Sequence, residues 1–267
     1  MDNISLNPVG IVSSTISNRD LMPNSGQLAR IIIYPDYVKA LQRIKEYSHI
    51  WVLSWLHQAK RDVLTAVPVK INPNVKPFGT FALRSPSRPN PIALSLVRLL
   101  DIDEDNSLLV SGLDVIDGTP VLDIKPYFER DTVFSPLAPH IPCSREEVLL
   151  RALRTQALNH HGEECDDLRL AVRMGMLVEE RFSYLKDPEL KLHVTGSPCF
   201  ADCLQGLTRA RLANPPRFSY QVREAGSGYE AVWSKGEKVL KLSAQKSLNS
   251  EEFKRLKDEE IFEIAGV

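Results

Sequence analysis

The stretch that decides the architecture of the first half is Phe78-Gly79-Thr80-Phe81-Ala82-Leu83-Arg84-Ser85-Pro86-Ser87-Arg88-Pro89-Asn90-Pro91, which runs straight into Ile92–Ile102. Prolines 86, 89 and 91 exclude a helix and stiffen the loop, so little entropy is lost when it grips a ligand. Arg84 and Arg88 add planar guanidinium forks suited to a carboxylate or a phosphate. On its own the segment reads either as an anion-binding loop or as a rigid strand connection with solvated arginines.

Working outward, residues 1–128 hold seven short β-rich runs: Pro8–Val12, Leu28–Tyr34, His49–Leu56, Phe78–Leu83, Ile92–Ile102, Leu108–Val115 and Val121–Ile124. Pro73-Asn74, Asn90-Pro91 and Asp117-Gly118 punctuate them, which predicts an all-β barrel or sandwich. One helix is expected among them, capped by Asp36 with Val38, Leu41 and Ile44 on one face. Residues 129–143 carry Pro136, Pro139 and Pro142 without periodicity and read as a linker. Beyond it the pattern becomes α+β. Ser144-Arg145-Glu146-Glu147 reads as a capping box, a second helix is expected from Asp167, and a third follows the Ser197-Pro198 start. Strands are expected at Phe218–Val222, Tyr229–Trp233 and Val239–Leu242, then a helix capped near Asn249. The expectation is a multidomain chain: residues 1–135 all-β and barrel-like, residues 144–267 α+β.

The 267 residues are 43% apolar and 25% charged, which excludes wholesale disorder. No apolar run reaches a membrane span, and Met1–Gly10 lacks the features of a secretion signal, so a cytoplasmic location and no membrane partner are expected. Cys143, Cys165, Cys199 and Cys203 are too few for a disulfide scaffold and read as free thiols or metal ligands. The net charge of −1 conceals a local asymmetry: Val63 to Leu100 contains no Asp or Glu, but carries Lys70, Lys76, Arg84, Arg88 and Arg98. Such a stretch can face a polyanion.

The proline loop is flanked in order by Tyr47-Ser48-His49-Ile50-Trp51-Val52-Leu53-Ser54-Trp55-Leu56-His57-Gln58 and by the run from Leu113 to Tyr127, which contains Asp117-Gly118-Thr119-Pro120. Together, over residues 4–130, these resemble the TsaA-like family, the TrmO-type tRNA methyltransferases. The resemblance implies a barrel-like sheet, a homodimer, S-adenosyl-L-methionine bound near the subunit contact, and methylation of the adenine nitrogen of threonylcarbamoyladenosine beside the anticodon of tRNA. It implies donor contacts at His57 and Gln58, Arg84, Leu96, Asp117, Gly118, Thr119 and Pro120. Pro23, Asn24 and Ser25 are further implied donor contacts, standing where the family has Pro-Arg-Gln, so one arginine is missing. Arg88 and Asn90 are the implied substrate contacts. The acceptor nitrogen must lose a proton, for which His57 and Asp117 are the candidate bases.

In the second half, His160-His161-Gly162-Glu163-Glu164-Cys165 and Ser197-Pro198-Cys199-Phe200-Ala201-Asp202-Cys203 are similar to the FmdE family, named from formylmethanofuran dehydrogenase operons. That likeness implies a transition-metal site, commonly zinc, at His161, Cys165 and Cys199, with Glu163 in place of the family's second histidine. Cys199, in the first turn of a helix, is expected to have its thiol pKa lowered by the helix dipole. A second reading of the whole chain keeps the methyl donor and makes the acceptor a small molecule of one-carbon metabolism. A third makes it a binding protein without catalysis.

Overall fold

The computed structural model describes residues 4–23, 25–223 and 228–267. The chain divides into two compact units, one reaching Pro68 and including Val75–Val133, the other comprising Val69–Asn74 and Phe134–Val267.

The first unit is built from β1 (Gly10–Ser13), β2 (Gln27–Ile33), β3 (His49–Trp55), β4 (Thr65–Ala66), β5 (Phe78–Gly79), β6 (Ile92–Ile102), β7 (Leu108–Leu113) and β8 (Pro120–Pro126). Six of them close into a barrel in the order β1-β2-β7-β6-β3-β8, and every described pairing is antiparallel. Alternation dictates the closure: Ala29, Ile31 and Ile33 on β2, Ile50 and Val52 on β3, and Leu108 and Val110 on β7 point inward. With period-2 side chains, each strand gives one face to a shared core and one to the outside.

Two expectations fail locally. Phe78–Leu83 is not one strand: only Phe78–Gly79 pairs, with Thr65–Ala66, before a 3-10 turn at Thr80–Ala82. The helix expected after Asp36 is a pair of 3-10 segments, Pro35–Leu41 and Ile44–Glu46. Tyr34, rather than Asp36, occupies the cap, and Arg43 takes φ 69° between the two segments, which interrupts any continuous helix.

In the second unit β9 (Lys191–Gly196), β10 (Phe218–Val222), β11 (Tyr229–Lys235), β12 (Lys238–Ala244) and β13 (Glu263–Gly266) form one sheet in the order β10-β9-β11-β12-β13. Among the described residues only the β9–β10 pair is parallel. Helices α1 (Glu146–His161), α2 (Asp166–Phe182) and α3 (Pro198–Thr208) share one core with it, around Leu170, Met174, Phe200, Leu204 and Trp233. Short helices α4 (Ser250–Arg255) and α5 (Asp258–Ile261) follow. Asn249 caps α4 through a reciprocal capping box with Glu252. The capping box expected at Ser144 does not form. Arg145 holds that position without a side-chain cap bond, because the Ser144 hydroxyl donates to the Ile71 carbonyl at 3.0 Å. Among the described residues no helix is long and apolar enough to cross a membrane.

Candidate functional site

Antiparallel pairing brings one end of each barrel strand to a common rim. There β3 ends beside the start of β6 (Trp55 opposite Ile92) and the start of β8 (Ser54 opposite Val121). The end of β1 meets the turn before β8, since the Gly118 amide donates to the Val12 carbonyl at 2.9 Å. Gln27, opening β2, pairs with Leu113, closing β7. The segments carrying His57-Gln58, Arg84–Asn90, Asp117–Pro120 and Pro23–Ser25 therefore all emerge at this rim. Asn24 lies outside the described residues.

Each segment is held by its own bonds. The His57-Gln58 turn is exposed and tied to the proline loop by Leu56 N–H to Pro91 O at 2.8 Å. Arg88 donates to the carbonyls of Thr80 and Leu83, bracing the loop from within, while Arg84 extends into solvent. Asn90 is exposed and its carbonyl accepts from Ile92 N–H at 2.8 Å.

In the turn before β8, Asp117 Oδ1 accepts from the Ser14 amide at 2.9 Å, and the buried Thr119 hydroxyl donates to Ile116 O at 2.7 Å. Gly118 takes φ 70°, the left-handed conformation that this Asp-Gly turn requires. The amides of Asp117, Gly118 and Thr119 are spent on Ile16, Val12 and Ile116. What remains to face a ligand is a set of acceptors: Asp117 Oδ2 and turn carbonyls.

Gly26 N–H donates to Pro23 O at 3.0 Å, and Gly26 packs against the backbone of Gly112. A Cβ at Gly112 would stand 3.7 Å from Leu96 O and 3.9 Å from Ser25 O, so Leu96 and the Ser25 turn meet at this glycine. Leu96 is part-way down the outer wall, 39% exposed, and Leu94, one step nearer the rim, is 47% exposed. Trp51 and Leu53 pair with Leu96 and Leu94, giving an apolar strip across β3 and β6; Leu28 on β2 is exposed too, but β7 lies between and pairs Ser111 with it.

Sequence reasoning missed the polar residues just inside this end. Ser54 is fully buried and its hydroxyl has no partner among the described residues, nor does Gln27 Oε1. Gln27 Nε2 meanwhile donates to Ser14 Oγ and Val115 O, each at 3.0 Å. Ser95 donates to Asp114. The available signal was a serine inside an apolar strand, as in Val52-Leu53-Ser54-Trp55 and Ala93-Leu94-Ser95-Leu96. A shallow groove lined by Val38, Leu41, Ile102 and Asn106 lies at the opposite end of the barrel and contains none of these residues.

The second unit assembles its own cluster. His161 ends α1, Gly162 caps it at φ 89°, Cys165 caps the start of α2, and Cys199 is in the first turn of α3. One atom each of His161, Glu163 and Cys199 lie mutually within 4.8 Å. Cys165 Sγ is 3.5 Å from His161 Nε2 and also accepts from Leu168 N–H at 3.3 Å. Asp202 Oδ2 holds His161 Nδ1 at 2.8 Å, which turns Nε2 toward Glu163 and Cys165. Contrary to the helix-dipole expectation, the Cys199 thiol is pushed up. Burial is the largest cause, and Cys165, Asp167, Glu163 and Asp202 add negative charge around it. Cys203 is wholly buried and is pushed up further, also by burial first.

Residues 11–131 match the family described as the tRNA-methyltransferase O N-terminal domain. A "Probable S-adenosyl-L-methionine-binding protein" of Methanothermobacter thermautotrophicus is 45% identical over 130 residues, covering 47% of this chain and 91% of that one. A protein of the same description from Archaeoglobus fulgidus is 33% identical over 222 residues; the match takes in 79% of this chain but 60% of the relative's length. The tRNA (adenine(37)-N6)-methyltransferase of Escherichia coli is 28% identical over 248 residues, 87% of this chain and 90% of that enzyme, a span that runs well past the barrel. A crystal structure of TrmO from Pseudomonas aeruginosa aligns with a TM-score of 0.42 at 23% identity, over 92% of this chain and 95% of the other.

Proposed function

Because this chain belongs to the tRNA-methyltransferase O N-terminal-domain family, we propose that it is an S-adenosylmethionine-dependent tRNA methyltransferase, acting on the adenine nitrogen of threonylcarbamoyladenosine beside the anticodon. The observation that carries the reading is the rim itself. Segments scattered from Pro23 to Pro120 converge there above two orphaned buried polar atoms, Ser54 Oγ and Gln27 Oε1. Unpaired buried polar atoms are costly, and a polar ligand at this end offsets that cost.

The residues present fit such a donor. The acceptor-only turn at Asp117–Thr119 suits the amino and ammonium groups of S-adenosylmethionine, Arg84 suits its carboxylate, and Leu94 and Leu96 offer apolar surface to its adenosine. When bound, the donor supplies an already activated methyl group. The chain's task is then to place the acceptor nitrogen in line, exclude water and take up the proton. His57 and Asp117 flank adjacent arcs of the rim, and either can receive it; Asp117 keeps Oδ2 for the purpose. Arg88 and Asn90 stand on the same loop as candidate substrate contacts. The outer strip of Leu94, Leu96, Trp51 and Leu53 suits a second copy of the chain, and we take the active form as a homodimer.

For the second unit we propose a bound transition metal, zinc by the chemistry of the donors. His161, Glu163 and Cys199 form the inner set, Cys165 adjoins it, and Asp202 orients the imidazole in the manner of an outer-shell carboxylate. Methyl transfer has no need of this metal, and its role is to tie α1, α2 and α3 together. Mass spectrometry of nucleosides from tRNA incubated with the protein and donor tests the activity: a new methylated threonylcarbamoyladenosine supports it, and an unchanged nucleoside profile refutes it.

A further inference from the structure

We propose that Phe81 is a stacking platform for an unstacked base of a single-stranded RNA loop. The proposal builds on the tRNA methyltransferase reading and names a contact on the acceptor side.

Phe81 is 87% exposed, an unusual cost for a phenyl ring in a well-packed barrel unit. Its backbone is pinned on both sides. Thr80 is buried, its amide donates to Leu64 O at 2.9 Å, and its carbonyl accepts from Arg88. Leu83 donates back to Thr80 O at 3.4 Å, and its own carbonyl accepts from Arg88 at 3.1 Å. The ring is therefore presented on a braced turn, so ordering it on binding costs little entropy. Arg84, three residues on, is exposed, as are Lys60 and Lys76. No carboxylate occurs anywhere between Val63 and Leu100.

An exposed apolar disc on a stretch of chain that carries cations and no acids matches a nucleobase attached to phosphates. Bases of every kind have a π-face, so the contact carries affinity without reading sequence. Phenylalanine has no polar edge to read with, and recognition of the modified base is left to the rim. The same loop carries both features: Phe81 at its start and Arg84 to Asn90 beyond.

The test measures binding of a fluorescein-labelled anticodon stem-loop RNA to the full chain by anisotropy, with Phe81→Ala and Phe81→Trp beside the wild type. Phe81→Ala should weaken binding about tenfold and Phe81→Trp should stay within about twofold of wild type. The salt dependence should keep its slope, because no phosphate contact is lost. Donor affinity by calorimetry and the sedimentation coefficient should not change, and binding of a fully paired RNA duplex should be insensitive to the substitution. Wild-type binding with Phe81→Ala equal to it overturns this inference alone. So does a sedimentation shift toward monomer, which would make the ring a contact between copies, and so does an equal loss on the duplex. A wild-type protein that binds no RNA at any salt overturns the methyltransferase reading together with this one.

Discussion

Leu56 donates its amide to the carbonyl of Pro91 at 2.8 Å, joining the turn that presents His57 and Gln58 to the end of the loop that presents Arg84. The join continues outward. Arg88 N–H reaches Lys60 O at 3.0 Å, and Arg61 donates to Pro89 O while its guanidinium lies 5.4 Å from the centre of the Trp55 ring. Two segments some thirty residues apart are thus one rigid piece, and a ligand held by either is positioned by both. The prolines that exclude a helix also fix the carbonyls this stitching uses.

Arg84→Ala should weaken S-adenosylmethionine binding by at least tenfold and leave the fold intact, since the side chain extends into solvent and braces nothing. Calorimetric titration with a parallel circular-dichroism melt checks this. Unchanged affinity and turnover would show that Arg84 is a bystander.

Arg88→Ala should behave differently and lower stability by about 1.5–3 kcal/mol, because its guanidinium satisfies two loop carbonyls. Arg88→Lys should recover only part, as an ammonium lacks the planar fork. Urea unfolding of both variants decides the matter: equal midpoints in wild type and Arg88→Ala would remove the bracing role.

Much of the barrel is legible in the chain, and the reasons are local. Ile92–Ile102 follows a proline and alternates inward Ser95 and Val97 with outward leucines, so its limits can be read directly. Lys191–Gly196 escapes notice because its buried Leu192 and Val194 are interleaved with Lys191, His193 and Thr195, and its partners lie dozens of residues away. Ser144 looks like a cap but finds the Ile71 carbonyl, a partner 73 residues distant that no local pattern reveals. The site is legible only as pieces. That Gln27, Ser54 and Ser95 line the same end as Arg84 and Asp117 depends on strand pairing, a property of the closed barrel.

Purified without chelator, the full chain should carry about one zinc per molecule, and His161→Gln or Cys199→Ser should reduce it sharply. Chelation should lower the melting temperature, because a ligand bound only by the folded state stabilises it. Methylation should survive. Equal, substoichiometric metal in wild type and variants would make these residues ordinary core groups, and chelator-sensitive methylation would break the separation of roles.

Burial holds the His140 imidazole below its ordinary range, with Lys186 adding to the effect; the Ser183 carbonyl opposes it. Its ring stacks on Tyr184 at 4.1 Å and faces Glu179 Oε1 at 3.6 Å. Protonation is then easier in the unfolded chain, so stability should be full above about pH 6.5 and fall as the pH drops through that value. Glu179, raised by burial, acts with the opposite sign, costing stability as the pH rises past the ordinary carboxylate range. The nearby Cys143 and Tyr184 are also pushed up by burial and stay neutral through this window. His140→Gln should therefore lose less melting temperature than wild type between pH 8 and pH 5, and parallel curves would contradict the assignment.

Methyl transfer from S-adenosylmethionine to tRNA at this barrel rim is open to a direct test. The most direct measurement incubates the full chain with isotopically labelled donor and tRNA bearing threonylcarbamoyladenosine, then digests the tRNA and analyses its nucleosides by mass spectrometry. The label should appear in a singly methylated threonylcarbamoyladenosine with wild type, and Arg84→Ala should reduce it at least tenfold. Wild-type protein that binds the donor yet leaves this nucleoside unlabelled would exclude that transfer.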